Sequence, residues 1–124
     1  ILVVEDDLKV QALVVTIMQD AGYEVLSASR GKEAMALAQA CARDASQHLD
    51  LLLTDAILPD MTGMDIASAL RDCLPTMRVL YISGHAEEKL LNSSGEFQQG
   101  VNFLQKPFSP TQLVQRVNGI LVPG

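Results

Sequence analysis

Leu51-Leu52-Leu53-Thr54-Asp55 is an unbroken apolar run that stops on an acid. It is too short for an ordinary helix and does not alternate, so Leu51–Thr54 suits a parallel strand covered on both faces. Four other runs share that character: Ile1–Val4, Glu24–Ala28, Arg78–Ser83 and Val101–Leu104. Between them lie helical patterns. Val10, Leu13, Val14, Ile17, Met18 and Ala21 recur at three- and four-residue steps, and Gly22 offers a stop. Ala34, Leu37, Ala38 and Cys41 form a second stripe, and Met64, Ala67, Leu70 and Leu74 a third, closed by Pro75. Leu113, Val114, Val117, Ile120 and Leu121 form the last, entered through Ser109-Pro110-Thr111-Gln112, a capping box with Pro at the first helical position. Asn92-Ser93-Ser94-Gly95 interrupts a further helix within 87–100. Five strands alternating with five helices predict right-handed crossovers and an open α/β sandwich.

The 124 residues are the size of one domain, 1–124, with a core that needs neither metal nor disulfides. Hydrophobic residues at 48% and charged residues at 19% exclude disorder. Nine Lys/Arg against fifteen Asp/Glu give a net charge of −6, which argues against nucleic-acid or membrane-surface binding. Cys41 and Cys73 have no zinc-ligand spacing and read as reduced thiols in or near the core. No apolar run approaches a membrane span or a signal h-region, so a cytoplasmic domain is expected, even where the parent chain is membrane-anchored. The sequon Asn92-Ser93-Ser94 is then fortuitous.

Ligands of such sheets bind beyond the carboxyl ends of the strands. There stand Glu5-Asp6-Asp7, Asp55, Ser83 and Lys106-Pro107. Two ionised carboxylates ~4 Å apart repel by roughly 4 kcal/mol at an effective dielectric near 20, so the cluster calls for a cation. With oxygen ligands and no neighbouring His or Cys, Mg²⁺ is favoured over zinc. A carboxylate, a hydroxyl, a lysine and Mg²⁺ together suggest an acyl-phosphate site. There is neither a Walker A run nor G-x-G-x-x-G to support nucleotide binding. Plainer roles exist too: Asp7 reads as a helix N-cap, and Asp60 with Thr62-Gly63 as a turn and cap ahead of Met64.

Val3-Val4-Glu5-Asp6, Leu53-Thr54-Asp55, Pro59-Asp60-Met61-Thr62-Gly63, Tyr81-Ile82-Ser83-Gly84 and Phe103-Leu104-Gln105-Lys106-Pro107-Phe108 occur in one order along the whole chain. In these the sequence resembles the receiver domain of two-component response regulators. The resemblance implies a flavodoxin-like (βα)5 fold with strand order 2-1-3-4-5. It implies Asp55 as phosphoacceptor, and Mg²⁺ or Mn²⁺ held by Glu5, Asp6, Asp55 and the Ile57 backbone carbonyl. It also implies that Ser83 and Lys106 engage the phosphoryl group, and that Lys106–Pro107 is a cis peptide. Ser83 and Phe103 would form the switch, acting on the face built from the fourth helix, fifth strand and fifth helix. Ile57 and His85 would flank the path of water to the phosphoryl group and so tune its lifetime. Glu5, Ser83 and Phe103 stand where Asp, Thr and Tyr are common in the family.

The implied partner is a histidine kinase or a histidine phosphotransfer domain, with a transient homodimer as a further expectation and no direct contact with nucleic acid or membrane. The chemistry of the domain itself would be self-phosphorylation and self-dephosphorylation. Ser83-Gly84-His85, the 87–100 segment and the Phe103–Arg116 run look most like receivers of hybrid sensor histidine kinases. The absent initiator Met and the start inside a strand fit an excised piece of such a chain. The alternatives are the receiver of a DNA-binding regulator and a phosphorylation-independent pseudo-receiver, which the complete acceptor set disfavours. An aspartyl-phosphate phosphatase would want an acid where Ile57 stands.

Overall fold

The computed structural model describes residues 1–44, 48–84 and 103–121. Its elements follow in the order β1 (Leu2–Val4), α1 (Leu8–Asp20), β2 (Leu26–Ala28), α2 (Gly31–Arg43), β3 (Leu51–Asp55), α3 (Gly63–Leu70), β4 (Arg78–Ser83), β5 (Phe103–Gln105) and α4 (Pro110–Leu121). The strands form one parallel sheet in the order β2-β1-β3-β4-β5, the flavodoxin-like arrangement. The helix expected within 87–100 lies outside the described residues, as do His85, Val101 and Asn102.

Alternation along the strands divides the core into two layers. Leu2, Val4, Leu52 and Tyr81 pack with Ala34, Ala38, Ile66 and Leu70 from α2 and α3. Val3, Leu51, Leu53, Leu80, Ile82 and Leu104 pack with Val14, Ile17 and Met18 of α1 and Leu113, Val117 and Ile120 of α4. All five residues of β3 are buried, which is why its sequence shows no alternation.

Helix starts follow the local signals closely. Asp7 caps α1, its Oδ1 accepting from Lys9 N at 3.0 Å and Val10 N at 3.3 Å. Thr62 and Asp65 form a reciprocal capping box on α3, and Ser109 and Gln112 do the same ahead of α4.

Three expectations are corrected. Leu13 is 55% exposed, because it sits ~100° around α1 from Val14 and falls beside the buried stripe. Regular α3 ends at Leu70 rather than running to Pro75. Leu74 N still bonds Leu70 O at 2.8 Å, and Pro75 restrains only the residue before it. Cys41 is buried, but Cys73 is exposed, beyond the end of α3.

Candidate functional site

The strand register assembles the site. Val4 pairs with Thr54, so the next residues, Glu5 and Asp55, stand side by side at the carboxyl end of the sheet. Asp55 pairs with Ile82, which puts Ser83 one step further along. Ser83 pairs with Gln105, and Lys106 follows, its N–H donating to Ser83 O at 2.8 Å. Glu5, Asp55 and Lys106 each lie two residues beyond a member of the same core layer, Val3, Leu53 and Leu104. A period of two therefore brings both carboxylates and the ammonium to one face.

Contacts agree with that placement. Lys106 Nζ lies 3.0 Å from Asp55 Oδ1 and 3.3 Å from Glu5 Oε2. Glu5 and Asp55 are each 3% exposed, while Asp6 faces solvent. Oxygens of Glu5, Asp6 and Asp55 all come within 4.8 Å of one another, an oxygen-only donor set for a hard divalent cation. Burial, followed by the neighbouring Glu5, pushes the Asp55 carboxyl up to about 8, against the downward pull of Lys106. Burial alone would lower the Lys106 ammonium, yet Asp55 and Glu5 outweigh it and raise it. Asp55 Oδ1 is buried against the Lys106 ammonium, and Ser83 Oγ is buried with no hydrogen-bond partner among the described residues. Buried polar atoms are seldom left so.

Asp55 is carried by a backbone with little room. Gly63 N donates to Ala56 O at 2.9 Å, and a Cβ on Gly63 would lie 2.5 Å from Asp55 O and 2.8 Å from Thr54 Cγ2. Leu58 N donates to Met61 O at 3.0 Å. These two bonds flank the antiparallel bridge Ile57–Thr62 and make it a non-hydrogen-bonded pair. The N–H and C=O of Ile57 therefore point away from the returning arm. Lys106–Pro107 is cis. Phe103 is half-buried at the edge of the α2/α3 layer.

Two participants carry no recognisable signal in the sequence. Gln11 Nε2 reaches back from α1 to Glu5 O at 3.0 Å and Ala28 O at 2.9 Å, holding the ends of β1 and β2 together. Asp60 leaves its own turn to cap α2, accepting from Gly31 N at 2.9 Å and Lys32 N at 3.0 Å. The cap of α3 is Thr62 alone, aided by Asp65. A Gln mid-helix and an Asp after Pro both look ordinary until the partner element is placed beside them.

Residues 1–118 match the family model of the response regulator receiver domain. The chain is 30% identical over 122 residues to the response regulator receiver protein CpdR of Brucella abortus (strain 2308), covering 98% of this chain and 96% of that protein. It is 31% identical over 122 residues to the sensor kinase CckA of the same strain, covering 98% of this chain but 12% of the kinase. The crystal structure of the receiver domain from the hybrid histidine kinase CckA has a TM-score of 0.74 at 32% identity, covering 97% of this chain and 96% of that one. The strand order, the rim of acids and these likenesses agree: the chain belongs to the response regulator receiver domains of two-component systems.

Proposed function

We propose that Asp55 accepts a phosphoryl group from a phosphohistidine on a partner protein. The observation that carries this reading is the buried Asp55 carboxylate held 3.0 Å from Lys106 Nζ, one register step from a buried Ser83 Oγ that has no hydrogen-bond partner among the described residues. A carboxylate oxygen of Asp55 attacks phosphorus; the new O–P bond forms as the P–N bond to the donor imidazole breaks and its electron pair leaves with nitrogen. The Ser83 hydroxyl and the Lys106 ammonium then donate to oxygens of the transferred group.

Glu5, Asp6, Asp55 and the outward-facing Ile57 carbonyl fit a Mg²⁺ or Mn²⁺ ion. When bound, that ion supplies positive charge against the phosphoryl oxygens. Because Asp55 sits near 8 without it, its occupation also favours the ionised, nucleophilic carboxylate.

Receiver domains interact with histidine kinases or phosphotransfer proteins. For this chain, Leu8, 66% exposed at the start of α1 and directly after the acidic rim, offers an apolar contact. The charge of −6 argues against direct nucleic-acid binding. No helix of the described residues is long and apolar enough to cross a membrane. The likeness to the CckA receiver favours a hybrid kinase as the parent chain. Phosphorylation draws in Ser83, and Phe103 fills the space it leaves, reshaping β5 and α4, which are tied by the 2.7 Å bond from Arg116 Nη1 to Phe103 O.

Incubation with Mg²⁺ and acetyl phosphate tests this. The protein should gain the mass of one phosphoryl group, and the gain should vanish in Asp55→Asn or on chelating the metal. The same label persisting in Asp55→Asn would overturn the assignment.

A further inference from the structure

The segment between β3 and α3 is held at both ends. At its base, Gly63 N bonds Ala56 O at 2.9 Å. At its tip, Asp60 grips a different element: its two carboxylate oxygens accept the first two amides of α2, Gly31 N at 2.9 Å and Lys32 N at 3.0 Å. Carboxylates are favoured there because the first-turn amides of a helix have no intrahelical partner and carry partial positive charge. Arg30, the residue at the N-cap position of α2, makes no side-chain capping bond. Met61 closes the same seat. A Cβ on Gly31 would run into Met61 Cγ and Sδ and lie 3.3 Å from Asp60 Oδ1. Ile57 lies on the arm between base and tip, with its carbonyl turned outward.

We propose that Asp60 is a positioning residue for the metal site: by clamping the loop tip to the start of α2, it sets where the Ile57 carbonyl points. The inference rests on the reading of that carbonyl as a ligand. Asp60 touches no ligand of the site; it acts through the Leu58–Met61 turn, whose 3.0 Å bond transmits the tip's position to the Ile57 arm. With the clamp removed, the three carboxylates stay on their strand ends and the carbonyl loses its fixed direction. Metal binding should weaken without being abolished.

The test is Mn²⁺ binding to the 124-residue protein, followed by the EPR signal of the free ion, with thermal unfolding measured alongside. Asp60→Ala should weaken Mn²⁺ binding at least threefold, and Asp60→Asn, which keeps one acceptor oxygen, by less. Gly31→Ala, which displaces Met61 and crowds Asp60, should weaken it too. Val117→Ala, buried in the opposite layer, should lower the unfolding midpoint and leave Mn²⁺ affinity unchanged, separating positioning from stability. Paramagnetic broadening of the Ile57 carbonyl resonance by Mn²⁺ should be strong in the wild type and reduced in Asp60→Ala. Wild-type affinity and broadening in Asp60→Ala would overturn the clamp and leave the metal site standing. Mn²⁺ binding equally well to Asp55→Asn would overturn the site, and the clamp with it.

Discussion

The loops after β1 and β3 bring carboxylates to the same place by different means. After β1 the chain turns at once into α1. Glu5 Oε1 takes the Asp7 amide at 3.1 Å, Asp7 caps the helix, and Gln11 returns from its second turn to Glu5 O. Most of that support comes from within six residues. After β3 the chain makes a longer excursion, tied at its base by a glycine and at its tip to a helix 28 and 29 positions away in sequence. The first junction is a local device. The second adds to its own local bonds a tie to α2 that only the fold supplies.

The largest way to break the second junction is Gly63→Ala. Its Cβ would meet backbone and a buried side chain rather than a flexible tip, so a loss of about 1–3 kcal/mol is expected. A fall of several degrees in the unfolding midpoint would register it; an unchanged midpoint would show that the loop yields freely.

A pH series sharpens the difference between buried and solvent-facing acids. The Asp55 carboxyl, near 8 in the folded chain, stands above its unfolded value of about 4. The folded state thus binds more protons between those values, and the metal-free protein loses stability as pH rises through that window. Asp55→Asn should unfold at a higher temperature than the wild type at pH 8, and the gap should close toward pH 4. A gap independent of pH would argue against the raised value.

For the first junction, Asp7→Ala should cost about 1 kcal/mol through loss of the α1 cap. Denaturant unfolding would measure it, and phosphorylation of Asp55 should survive. The smallest expected effect concerns lifetime. The family resemblance implies that Ile57 flanks the path of water to the phosphoryl group; in that place an apolar side chain is a wall that cannot orient a water, and Ile57→Asn should speed loss of the phosphoryl group severalfold after the donor is removed. His85→Ala should change that rate less. Equal rates in wild type and Ile57→Asn would show that this wall does not govern the lifetime.

The same contrast explains how much could be read from the chain itself. Strands that stop on Asp55, Ser83 and just before Lys106 were legible because burial on both faces leaves a continuous apolar run with an abrupt end. The caps Asp7, Thr62 and Ser109 were legible because each bonds an amide two or three residues away. Asp60 and Gln11 were not, since their partners belong to elements that only the fold brings near. Leu13 misled because an apolar residue at the margin of a helical stripe has the same spacing as one at its centre.

The division of the core into two layers has a consequence for how a chemical event at the rim travels. Within the sheet, backbone separates the layers, and each set of side chains packs only with its own helices. Asp55 continues the α1/α4 layer through Leu53, whereas Ser83 continues the α2/α3 layer through Tyr81, the register partner of Phe103. The two stand one register step apart on neighbouring strands, just where the ladder runs out. A bond spanning Asp55 and Ser83 would therefore join two layers that the sheet backbone separates along those strands. Among the described residues, the carboxyl edge of the sheet is where that bond would cross, and Phe103 sits on the far bank.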